Sequence, residues 1–151
     1  MSYYISIVRM KQNYGGIFLL QQRKWAMHLI RFASVFGFLG VLIGSIMSGE
    51  MNYALRPVHA HFVLVGWLSV FAWGIFYYSV PIRKLLFVKI QSVLGMIGAV
   101  GLCIGMWLHY LDPLNTNETL NMIFFIVGGS ILLIAFFLFI IVTFFIEKIE
   151  K

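Results

Sequence analysis

Apolar residues fill this chain in long runs that are parted by short polar breaks. Three of the runs exceed the ~18 residues that argue for a spanning helix, and a fourth reaches that length with glycines throughout. The pattern predicts helices over about 25–47, 59–80, 86–111 and 120–146. The breaks "MSGEMNYALRP", "VPIRK" and "DPLNTNET" combine Gly, Pro, Asn and Asp with charge, the chemistry of turns. Short connections favour antiparallel neighbours. The expectation is an all-α integral membrane protein, a four-helix up-down bundle forming one domain over residues 1–151.

Residues 1–24 read as interfacial or disordered. Their apolar run is short, no small-residue cleavage pattern follows, and charge is scattered through them, so they do not read as a signal peptide. Composition supports the membrane reading. The chain is 62% hydrophobic and 11% charged, with a mean hydropathy of +0.96. A soluble domain carries about 25% charged residues and could not hide this much apolar surface. The single cysteine, Cys103, falls inside the third helix, excludes a disulfide within the chain, and is expected to pack as a small apolar residue.

The net charge of +6 is read as a topology signal, which excludes nucleic acid as the implied partner. Arg9, Lys11, Arg23, Lys24 and Arg31 precede or open helix one. Arg83, Lys84 and Lys89 surround the turn between helices two and three, and Lys148 and Lys151 follow helix four. The positive-inside rule assigns them to the cytoplasmic side, both termini included, in what is expected to be a bacterial inner membrane. Opposite lie Arg56, Glu50, Asp112 and Glu118.

That topology sorts the four histidines. His59 and His61 open helix two at the outer face, and His109 ends helix three at the same face. His28 sits about a bilayer thickness away, an interfacial histidine beside Arg23, Lys24 and Trp25. At ~100° per residue, His59 and His61 point roughly 200° apart and cannot clamp one ion from a shared face. The His59 face continues through Val63, Gly66, Val70, Trp73 and Tyr77. The His61 face reads Leu64, Leu68, Ile75 and Phe76, suited to lipid or a neighbouring subunit. His109 shares its face with Gly105, Leu102, Gly98, Gly95 and Gln91.

Two imidazoles on facing helices can be the axial ligands of a haem iron. Gly66 and Gly105 then leave room for the macrocycle, unless they serve close helix packing. Arg56, three residues before His59, could pair a propionate, or act as an interfacial anchor beside Glu50 or Asp112. Trp67, Trp73, Tyr77, Tyr78, Trp107 and Tyr110 fall where aromatic belts or core packing place them. "NET" at Asn117–Thr119 matches a glycosylation acceptor, a short pattern common by chance.

The stretch "RPVHAHFVLVGWLSVFAWGIFYYSVP" resembles the second transmembrane helix of the catalytic subunit of haem–copper oxidases, above all nitric-oxide reductases and C-family oxygen reductases. In those enzymes a histidine opening this helix is an axial ligand of the low-spin haem, and an aromatic pair with "VP" closes it. The resemblance implies that role for His59, with Arg56-Pro57 as lead-in and Tyr77-Tyr78-Ser79-Val80-Pro81 as the close. No ligand role transfers to His61. The whole chain also resembles small stand-alone subunit-I-like proteins that carry a "HAH" motif. The family's reducing centre needs further histidines on later helices, and helix four here has none. A complete oxygen- or nitric-oxide-reducing centre is therefore not expected in this chain.

The leading expectation is a small cytochrome-like protein binding haem b through His59. His109 is the preferred second ligand, with a histidine of a second subunit as the alternative. Its service would be electron transfer or gas sensing. Copper or zinc held by His59, His61 and His109 is a second expectation. A cofactor-free structural or assembly partner of a respiratory oxidase is a third. The expected partners are the lipid bilayer and either another copy or a respiratory complex.

Overall fold

The computed structural model describes residues 2–51, 53–115 and 117–147, with residues 2–15 as backbone alone. It is all-helical: α1 (Ser2–Glu50), α2 (Arg56–Ser79), α3 (Leu85–Leu111) and α4 (Glu118–Thr143). Each of the four contains a stretch long and apolar enough to cross a membrane, and in α1 that stretch is Gly16–Glu50. The mean window hydropathy is highest in α4, at 3.0.

The start of α1 departs from the sequence expectation, because residues 2–24 are helical and continuous with the span. No proline interrupts "GGIFLLQQRK", and a glycine costs only about 1 kcal/mol in a helix interior. Gln22, expected outside the bundle, is buried at 2% exposure. Its amide donates to the carbonyls of Tyr77 (2.6 Å) and Val80 (2.7 Å), and its Oε1 accepts from the Ile82 amide at 3.0 Å. Carbonyls at a helix C-terminus lack intrahelical partners, and Gln22 supplies them.

α2 begins earlier than the apolar run does. Pro57 stands in its first turn, where the missing N–H costs nothing. Phe62–Ser69 form a π-helical segment inside α2, within which the Ser69 hydroxyl donates to the Leu64 carbonyl at 2.9 Å. Wider i→i+5 turns take more residues each. Side chains after Ser69 therefore fall out of phase with those before it. His59, Val63 and Trp67 meet α1 at Gly44, Gly40 and Gly37, and Gly66 meets Phe36. Trp73 instead lies on Gly95 of α3 and against Phe136 and Phe139 of α4. Tyr77 donates to Gln91 Oε1 of α3 at 2.8 Å. The single face expected to run from His59 to Tyr77 is thus split between neighbours.

Glycines bring α3 and α4 together. Gly101 meets Gly128 backbone to backbone, Gly98 meets Leu132, and Gly105 meets Phe125. These contacts run in opposite order along the two helices, as do those between α1 and α2. Asn117 caps α4 by accepting from the Thr119 amide at 2.9 Å, so the "NET" triplet serves here as a helix start. Asp112 ends α3 in the left-handed region, φ 38°. At the other end, Arg83 N–H donates to Phe145 O and Glu147 N–H to Pro81 O.

Candidate functional site

His59 sits on the first turns of α2, half-buried against α1. Its Nδ1 lies 2.8 Å from the Gly40 carbonyl. A carbonyl only accepts, so Nδ1 carries the hydrogen and, in the neutral ring, Nε2 holds the free lone pair. Gly44 makes the seat possible: a methyl there would lie 2.8 Å from His59 Cε1. Metal-bound histidines are typically oriented by this kind of Nδ1–H bond to a carbonyl.

The other histidines do not converge on it. His109 stacks on Phe125 of α4, with ring centroids 5.7 Å apart and planes 14° from parallel. Its Nδ1 is buried without a hydrogen-bond partner among the described residues. His61 turns back onto its own helix, with Nδ1 2.8 Å from the Pro57 carbonyl. His28 is exposed, edge-on to Trp25 at 5.8 Å. Among the described residues no group of three or more His, Cys, Asp or Glu could hold a metal ion.

The glycine faces expected to clear a macrocycle slot are occupied. Phe36 fills the space at Gly66, the Phe125 backbone that at Gly105, Leu132 that at Gly98 and Trp73 that at Gly95. A haem ligated by His59 and His109 of one chain does not fit, because the first ring faces α1 and the second faces α4. What lies between α1, α2 and α3 is an apolar cavity of about 220 Å³, lined by Ile43, Leu55, Val58, Phe62, Cys103, Ile104 and Trp107. Neither histidine lines it. Cys103 is buried, as an apolar role requires.

Arg56 is exposed and stands over the Tyr53 ring, 4.8 Å from its centroid. On the His61 face Leu64, Leu68 and Ile75 are exposed, whereas Phe76 packs on Phe139. Reasoning from sequence missed the buried polar set of Gln22, Gln91 and Ser92. Gln91 falls on the His109 face in the sequence pattern, but Gln22 carries no signal beyond lying next to a basic pair. No family model matches this chain, and no curated protein or solved structure is significantly similar to it.

Proposed function

We propose that this chain is a membrane-spanning up-down bundle of a bacterial inner membrane that binds haem b through His59. The observation that carries the reading is the Nδ1–H bond to the Gly40 carbonyl, which leaves the lone pair of the neutral ring on Nε2 and so supports ligation through that atom. The resemblance of residues 56–81 to the haem-bearing helix of haem–copper oxidases implies the same residue. Bound there, haem b supplies one-electron chemistry, and an open axial position would admit a diatomic gas. Gly44 and the Gly40 carbonyl orient the imidazole. Arg56, one helical turn before His59, offers an exposed guanidinium to a propionate. His59 would be the one residue of this chain holding the haem, and a histidine of a second copy of the chain could complete the site.

Purified protein is expected to show a Soret band that His59→Ala abolishes and that His61→Ala and His109→Ala retain. A carbon-monoxide shift of the reduced spectrum would mark the open position and favour gas sensing; no shift would favour electron transfer. A colourless preparation from haem-replete cells rejects haem. One observation favours a second reading in that event: the glycine rows at Gly66, Gly98 and Gly105 all serve helix packing. A cofactor-free assembly partner of a respiratory oxidase uses them in just that way.

A further inference from the structure

At the end of the molecule opposite His59, a groove of about 360 Å³ lies between α1 and α2. Arg23, Lys24, His28 and Arg31 line it from α1, with Leu20 and Met27, and Tyr78 closes it from α2. Arg23, Met27 and Arg31 recur every four residues, and Lys24 and His28 form the adjacent row, so the basic groups share one helix face. The Arg23 guanidinium stands 5.2 Å from the centroid of the Tyr78 ring. None of the lining residues carries a carboxylate.

The depth of Arg31 makes this more than a basic helix end. It lies eight residues beyond Arg23, about 12 Å further along the axis. Its neighbour Ile30 packs on Gly74, five residues before the end of α2 and so about 7 Å inside it. A cation at such depth is costly unless it snorkels or meets an anion. On the same face as Arg31, four and seven residues on, Val35 and Phe38 are exposed at 57% and 69%. A cluster of cations leads directly into an apolar track.

We infer that this groove binds an anionic phospholipid, its headgroup phosphate held by Arg23, Lys24, His28 and Arg31 and its acyl chain lying along Val35 and Phe38. Basic recesses between membrane helices suit such headgroups, and the track selects a lipid over a free anion. The site is independent of whether His59 carries haem.

The test is native mass spectrometry of the full chain released from vesicles of phosphatidylcholine mixed with phosphatidylglycerol. Preferential retention of phosphatidylglycerol is expected. Lys24→Gln and Arg31→Gln should each lower it roughly fivefold, the worth of one cation near an anionic surface. Arg31→Lys, which keeps the charge, should retain most of it and shows that the position tolerates substitution. Arg83→Gln, outside the groove, should leave retention unchanged. Equal retention of the two lipids overturns the inference, as does an Arg83→Gln loss matching that of Arg31→Gln, which would mean diffuse attraction. Displacement of the lipid by inorganic phosphate would overturn it too, assigning the cations to a free anion.

Discussion

At the scale of single residues, the side chains that matter most are polar ones placed where water is scarce. Gln22 uses both ends of its amide on the segment that leaves α2, serving Tyr77, Val80 and Ile82 together. Leaving a buried donor or acceptor unpaired costs about 1–3 kcal/mol. Gln22→Leu should therefore lower unfolding stability in detergent by on the order of 3 kcal/mol. The exposed neighbour provides the control, since Gln21→Leu should change stability by less than about 0.5 kcal/mol. Equal effects at the two positions would show that Gln22 is no latch. His59 depends on a neighbour in the same manner, for its ring fits only because Gly44 has no side chain.

Between elements, small residues set how closely helices approach, and the α3–α4 pair shows it best. A methyl on Gly128 would run into the Gly101 carbonyl carbon and the Leu102 amide nitrogen. Backbone atoms cannot rotate aside as a side-chain tip can, so the helices must part. Gly128→Ala is expected to cost about 1–3 kcal/mol in thermal unfolding, the usual range for overpacking. Gly49→Ala meets nothing within 4 Å. That second change should be neutral or should stabilise by up to about 1 kcal/mol through helix propensity. Comparable losses at both sites would sink the close-packing account. The π-helical segment Phe62–Ser69 acts at this scale too: α2 packs on α1 on both sides of it, at Gly44 and Gly40 before and through Gly74 after, while Trp73 and Tyr77 are re-aimed at α3 and α4.

For the whole molecule, contacts among the described residues bring basic segments distant in sequence to one end. Gln22 reaches Val80 and Ile82, and Ile82 pairs with Ile146, so the chain segments that carry Arg23, Lys24, Arg83 and Lys84 meet at the same end of the bundle. With Cys103→Ser as background, Arg83→Cys should be labelled by an impermeant thiol reagent only from the cytoplasmic side, and Leu114→Cys only from the opposite side. Labelling of both from one side would refute the up-down arrangement. Chain-local chemistry made much of this legible in advance. Hydropathy marks the spans because each must satisfy its own backbone in lipid, Pro57 and Pro81 mark helix boundaries by their own conformational limits, and Asn117 marks one by capping. The place of His59 at the start of α2 is likewise legible in the order of residues. Its partner is not. Which helix a face meets depends on neighbours distant in sequence, and an extrapolated period of 3.6 fails across Phe62–Ser69. The tertiary structure alone decided that His59 faces Gly40 and Gly44, that His109 faces Phe125, and that Gln22 belongs inside. The sequence by itself determined that four apolar helical spans are present and where the basic residues fall between them, because both follow from residues taken in order. Partnership was left to the fold, because it is a property of surfaces that meet only once the helices pack.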